Sequence, residues 1–181
     1  MISITTHSGE GAEGLDGDVL SIWNEAFGPV ADPREWRSFV WDRHRARDGY
    51  RLVTARDDER MLGFAWGYTG ERGQYWSDHV SREVGSALDE WIGGHFEFVE
   101  LAVRPDAQRR GIGLQLHDAL ISDLPHARAL LSTSGDADDA GVRLYESAGW
   151  VTLGFYGDER RVMGLAFPDA ARFRRSDEPQ P

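Results

Sequence analysis

The run from His95 to Leu124, HFEFVELAVRPDAQRRGIGLQLHDALISDL, changes its apolar period once, and that change constrains the chain more than any other feature. HFEFVELAV is rich in β-formers and reads as a strand that Pro105 closes. Ile112, Leu116, Leu120 and Leu124 then recur every fourth residue, so GIGLQLHDALISDL reads as a helix ended by Pro125. A strand, a glycine turn and a helix in direct succession belong to a layered α/β domain.

The remaining segments fall in with it. ISITTHS, from Ile2, is β-prone. Leu15, Val19, Ile22, Trp23 and Ala26 recur at helical spacing, and Gly28-Pro29 stops that helix. Pro33 opens a second helix in which Trp36, Phe39, Val40 and Arg43 keep the period. YRLVTARD and MLGFAWGYTG read as a hairpin turning over Asp57 to Arg60. Between residues 71 and 94, Trp76, Val80, Val84, Leu88 and Trp91 form one apolar helical stripe. ARALLST is a strand, DADDAGVRLYESAG a helix, and WVTLGFYG with RRVMGLAF a closing hairpin over Asp158-Glu159. The order β-α-α-β-β-(α)-β-α-β-α-β-β predicts a mixed central sheet of about seven strands flanked by helices, with a helical insert between the third and fourth strands.

No repeat or linker divides the 181 residues, so residues 1–168 are expected to be one domain and 169–181 a flexible tail. With 40% hydrophobic and 28% charged residues, the composition is that of a soluble globular protein. No apolar run reaches the ~20 residues of a membrane helix, and the start lacks the basic and apolar parts of a secretion signal. A cytoplasmic location is expected. There is no cysteine, which excludes disulfides, thiolate metal sites and a cysteine nucleophile. The six histidines show no metal-ligand spacing, so no metal is expected, and His117 within its helix reads as structural. A net charge of −11 disfavours nucleic acid and anionic membrane and favours cationic small molecules or basic peptides; taken alone, it serves solubility equally well.

The junction RPDAQRRGIG admits two readings, a phosphate site or a basic surface turn. Unpaired N–H groups and the dipole at a helix start attract anions, and glycines at 111 and 113 let the backbone approach them. Arg109 and Arg110 can add charge-assisted hydrogen bonds. The chain has no lysine for a Walker loop, and Leu116 stands where the dinucleotide fingerprint needs its third glycine.

Taken with LYESAGW downstream, the pattern VELAVRPDAQRRGIG resembles the GCN5-related N-acetyltransferases. Gln108, Gly111 and Gly113 match their Gln/Arg-x-x-Gly-x-Gly/Ala signature, and Leu144, Tyr145, Glu146, Gly149 and Trp150 match the second hallmark. The element order agrees from Ile2 to Phe167. The resemblance implies an acetyl-CoA-dependent N-acetyltransferase. The pyrophosphate of acetyl-CoA is then expected on Gln108, Arg109, Arg110, Gly111, Ile112 and Gly113, and the pantetheine on the backbone of Leu101, Ala102 and Val103. Asp138 stands where many relatives carry an asparagine against pantetheine or water; an anion there cannot donate an amide N–H, and capping by Asp136 or Asp138 is the plainer expectation.

An amine with a pKa near ~10 must lose a proton before it attacks a thioester, and the departing thiolate gains from a proton donor. The resemblance gives the donor role to Tyr145. The base is Glu100 or Glu97; strand alternation puts them on opposite faces, and Glu100 is slightly favoured. Without cysteine, the expected route is direct transfer in a ternary complex. The acceptor is a primary amine of a small molecule or peptide, of cationic character. The 71–94 insert carries Glu71, Asp78, Glu83, Asp89 and Glu90 against Arg72 and Arg82, a net −3. With Trp66, Tyr68, Tyr75 and Trp76 it suggests an acidic, aromatic acceptor pocket. Equally open are simple packing of the stripe on the domain and a homodimer contact. The alternative reading of the whole chain is a non-catalytic acyl-CoA-binding or sensor module on the same fold, for which Asp138 speaks and against which Tyr145, Glu97 and Glu100 speak.

Overall fold

The computed structural model describes residues 1–167; the expected tail lies outside the described residues. Seven strands, β1 (Ser3–Ser8), β2 (Arg51–Arg56), β3 (Met61–Gly70), β4 (His95–Val103), β5 (Arg128–Ser134), β6 (Val151–Tyr156) and β7 (Arg160–Ala166), form a mixed sheet in the order β1-β2-β3-β4-β5-β7-β6. The described residues divide into two compact units, residues 1–68 with 99–122 and residues 69–98 with 123–167, so β3 and β4 each contribute to both. No helix among the described residues is long and apolar enough to cross a membrane.

In the first unit β1, β2 and β3 run antiparallel, with Ser3 opposite Arg56 and Arg51 opposite Gly67. The β2–β3 turn is closed by Asp57, whose carboxylate accepts the N–H groups of Glu59 and Arg60 at 3.0 and 2.9 Å. Helix α1 (Asp16–Phe27) buries Val19 and Ile22 on this sheet's core. Asp32 caps the next helix, α2 (Pro33–Trp36), accepting from Arg34 N at 2.7 Å, and Pro33 stands in its first turn, where its missing N–H costs nothing.

The helix does not keep the expected period. A π-helical turn, Arg37–Asp42, separates α2 from α3 (Arg43–Arg45). In an α-helix Trp36 and Trp41 would point about 140° apart. Pairing i with i+5 brings residues five apart onto one face, and here the two indoles stack at 6.3 Å, 6% and 1% exposed. Phe39, expected on the inner face, is turned out and 66% exposed. Trp23, Trp41, Phe64 and His44 surround Trp66, itself 1% exposed, to complete an aromatic core.

Helix α5 (Ile112–Ile121) buries Ile112, Leu116, His117 and Leu120. It ends before Leu124, the last residue of the expected ladder, because Asp123 takes a φ of 53° and Arg51 caps the helix end. That guanidinium donates to the carbonyls of Ser122 at 2.7 Å and Ala119 at 3.0 Å.

In the second unit β5 lies between β4 and β7. It runs parallel to β4, with Phe96 opposite Ala129 and Glu97 opposite Leu130, and antiparallel to β7, with Arg128 opposite Ala166. Helix α4 (Tyr75–Val84) belongs to the insert and is shorter than its stripe. Gly85, at φ 78°, ends it, and a 3₁₀ turn over Gly85–Leu88 follows. Leu88 and Trp91 still reach the core cluster of Val80, Ile92, Leu130 and Val162, joined there by Trp76, Val84, Leu153 and Tyr156. The stripe therefore packs on this unit's own sheet.

Two imidazoles, His44 half-buried and His95 buried, make stability depend on pH. Burial, with Arg47 and Arg43 nearby, lowers His44 to about 4. Burial, with Arg128 and His126, lowers His95 to about 3. Both rings are held neutral in the fold and take up protons more readily when unfolded. Their contribution is fully present above about pH 6.5 and is lost as pH falls toward the folded values. We expect the melting temperature to fall steadily from about pH 7 to about pH 5, a range in which ordinary carboxylates stay ionised. A flat melting profile over that range would contradict the burial of these rings.

Candidate active site

The strand-to-helix junction lies wholly in the first unit. After β4 a 3₁₀ turn, Pro105–Ala107, leads to Gln108. Arg109 and Gly111 then take left-handed conformations, φ 60° and 73°, and Gly111 is the N-cap of α5. The first bond of the helix runs from Gln115 N to Gly111 O at 3.2 Å, so the N–H groups of Ile112, Gly113 and Leu114 have no intrahelical acceptor. Gln108, Arg109, Arg110 and Gly111 are exposed, Gly113 is half-buried and Ile112 points into the core. This arrangement presents main-chain donors, a helix dipole and two arginines to an anion.

Two of the expected contributors have structural work as well. The side chain of Gln108 donates to Val103 O at 3.2 Å, bracing the end of β4. Of the three pantetheine candidates, Leu101 is half-buried, while Ala102 and Val103 are 3% and 8% exposed. Arg60 donates to Asp106 at 2.6 Å on the loop's flank, and this hydrogen bond holds the Asp106 carboxyl below its usual range. Asp57 is lowered too, chiefly by the N–H groups of Arg60 and Glu59, with Arg110 contributing.

Arg104 is the residue the sequence did not single out. It is 7% exposed and turns inward, where Nε donates to Met61 O at 2.8 Å and Nη2 to Ser21 Oγ at 3.1 Å, while Nη1 pairs with Glu25. Nothing in the sequence separates it from Arg109 and Arg110.

The acid and base candidates divide between the units. Glu100 is half-buried on the first unit's part of β4. Glu97, 5% exposed, lies in the second unit opposite Leu130. Tyr145 is on α6 (Ala140–Ser147) of the second unit, its ring edge-on to Phe98 at 5.7 Å and to Trp150 at 5.9 Å. Trp150, 3% exposed, also donates its backbone N–H to Tyr145 O at 3.0 Å, which ties the LYESAGW turn to the helix.

Two expectations need correction. The cap of α6 is Asp139, which accepts from Gly141 N at 2.8 Å and Val142 N at 3.2 Å. Asp136 instead accepts from Asp138 N at 2.9 Å, and the Asp138 carboxylate is 96% exposed, 3.7 Å from Arg143. The helix starts at Ala140, four residues into the run that was read as helical, so the cap moves with it. The aromatic pocket is also revised. Trp66 and Tyr68 are 1% and 4% exposed because β3 is buried along nearly all its length, leaving no outward face for them. Trp76 packs into the second unit's core, and of the four only Tyr75, stacked on His79 at 6.0 Å, is open to solvent, 78% exposed. Two of the insert's acids serve its own turns, Glu71 accepting from Gly94 N at 3.0 Å and Asp78 from Gly73 N at 2.9 Å.

These local devices have measurable worth. Gly111→Ala forces a Cβ into a left-handed conformation and is expected to destabilise by about 1 kcal/mol. Asp139→Ala removes the cap and is expected to cost a similar amount, about 1 kcal/mol. Urea unfolding of the two variants checks both, and unchanged midpoints would refute the turn and cap assignments.

Comparison with known proteins places the chain in a family. The model of the acetyltransferase (GNAT) family matches residues 17–150. The GCN5-like protein acetyltransferase Rv2170 of Mycobacterium tuberculosis is 27% identical over 188 residues, covering 84% of this chain and 91% of the relative. The ribosomal-protein-S18-alanine N-acetyltransferase of Escherichia coli superposes with a TM-score of 0.61 at 18% identity, over 92% of this chain and 94% of the other. The PaiA N-acetyltransferase of Thermoplasma acidophilum, solved with coenzyme A, gives 0.58 at 14% identity, over 92% and 99%. The chain belongs to the acetyltransferase (GNAT) family and is an N-acetyltransferase.

Proposed function

We propose that the chain transfers an acetyl group from acetyl-CoA directly to a primary amine, and that the amine belongs to a peptide or protein. The observation that carries the donor half is the left-handed turn at Arg109 and Gly111, which opens onto three N–H groups without intrahelical acceptors. In this reading the pyrophosphate lies on Gln108 to Gly113, chiefly on main-chain donors, with Arg109 and Arg110 neutralising its charge. The pantetheine runs along Leu101, Ala102 and Val103. Asp138, at the end of an exposed turn, meets the donor through its backbone or through water.

Chemically, Glu100 removes a proton from the acceptor ammonium, through water where the amine stands too far away. Its partial exposure lets it return that proton to solvent, which suits it better than the buried Glu97. The freed amine attacks the thioester carbonyl, the C–S bond breaks, and Tyr145 protonates the departing thiolate, recovering its proton from the nitrogen as that nitrogen becomes the amide. No residue is acylated on the way, in keeping with a chain that has no cysteine. The peptide or protein acceptor is supported by two relatives, the mycobacterial protein acetyltransferase and the E. coli enzyme named for the alanine of ribosomal protein S18. The net charge of −11 favours an acceptor in a basic setting.

Thermal stabilisation by CoA and thiol release across small amines and basic peptides test the proposal. We expect a raised melting temperature and release that is faster with peptides. Tyr145→Phe and Glu100→Gln are each expected to lower kcat by about 10²–10⁴-fold. Turnover unchanged in Tyr145→Phe would remove the acid assignment. Faster release with polyamines than with peptides would replace the acceptor class.

A further inference from the structure

We infer that Arg104 is a positioning residue for the donor loop: its buried guanidinium fixes where the loop leaves the sheet, and thereby sets affinity for CoA. The inference rests on the donor-binding reading above. Arg104 occupies the last position before the 3₁₀ turn and joins the loop to two other elements of the same unit. Through Met61 O it holds the start of β3, and through Ser21 and Glu25 it holds α1. Its own N–H adds a bond to Leu62 O at 2.8 Å, and its carbonyl accepts Ala107 N at 2.9 Å, which closes the turn leading to Gln108.

A guanidinium that is 7% exposed is stable only with its charge and its donors answered. Here Glu25 answers the charge, and Met61 O and Ser21 take further N–H groups in separate directions. That fork geometry is specific to arginine; an ammonium on a flexible stem cannot hold three acceptors at fixed angles. The three arginines of the motif therefore divide their tasks. Arg109 and Arg110 are exposed beside the helix start, and Arg104 carries no charge outward. Its influence on the donor passes through the backbone from Arg104 to Gly111. A loop already ordered before binding loses less freedom when CoA arrives, and each residue's worth of order is equivalent to about a tenfold change in affinity.

The test compares wild type with Arg104→Gln, Arg104→Lys and Glu25→Gln, measuring CoA affinity by calorimetry well below each variant's melting temperature. We expect Kd to rise about tenfold in Arg104→Gln. The rise should be smaller in Arg104→Lys and in Glu25→Gln, and KM for acetyl-CoA should rise more than kcat falls. Glu25 is 42% exposed, so its variant decides the matter if Arg104→Gln does not fold. Lower melting temperatures with unchanged Kd in the folded variants would make Arg104 a plain structural tie and overturn the inference alone. A wild-type chain that binds no CoA would overturn the donor reading and this inference with it.

Discussion

The backbone reversal at Arg109 and Gly111 is the constraint on which the proposed donor site depends. Every helix leaves its first N–H groups without intrahelical acceptors, and here the chain passes from β4 to that entry through a left-handed step at each of Arg109 and Gly111. Gly111 takes that step at no steric cost. Arg109 takes it against the preference of a residue with a Cβ, so the surroundings must hold it there. The 3₁₀ turn, the Gln108 brace and the Arg104 fork all act on the few residues before it.

Much of this was legible beforehand, because the strong signals were local. β4 has the bounds its alternation implied, and the closing hairpin turns where Asp158-Glu159 placed it. The failures share a cause, which is that a one-dimensional period does not see what lies across the fold. Leu124 continued the ladder of α5, but Arg51, from a distant strand, ends that helix first. Trp66 and Tyr68 carried the look of a binding wall and are core, since burial on both faces of β3 has no signature in alternation. Arg104 was hidden for the same reason: three arginines in one motif differ only in what surrounds them.

The insert shows how charge read from sequence is redistributed by structure. Its net −3 suggested a surface for cations, yet Glu71 and Asp78 are engaged in hydrogen bonds that close its own turns. Its apolar stripe is likewise taken up by the second unit's core, although Gly85 breaks the helix that was expected to carry it. The stripe survives the break because Leu88 and Trp91 approach the same cluster from a turn.

The π-helical turn between Trp36 and Asp42 bears on how such a chain can change by descent. It amounts to one residue more than a regular helix would hold over the same path. Deleting that residue would restore ordinary geometry, but everything after it would rotate by about 100°. Trp41 would then leave the stack with Trp36 and its place beside Trp66. The surplus residue is therefore locked in by three indoles, and a lineage could shed it only by rebuilding the aromatic core at the same time.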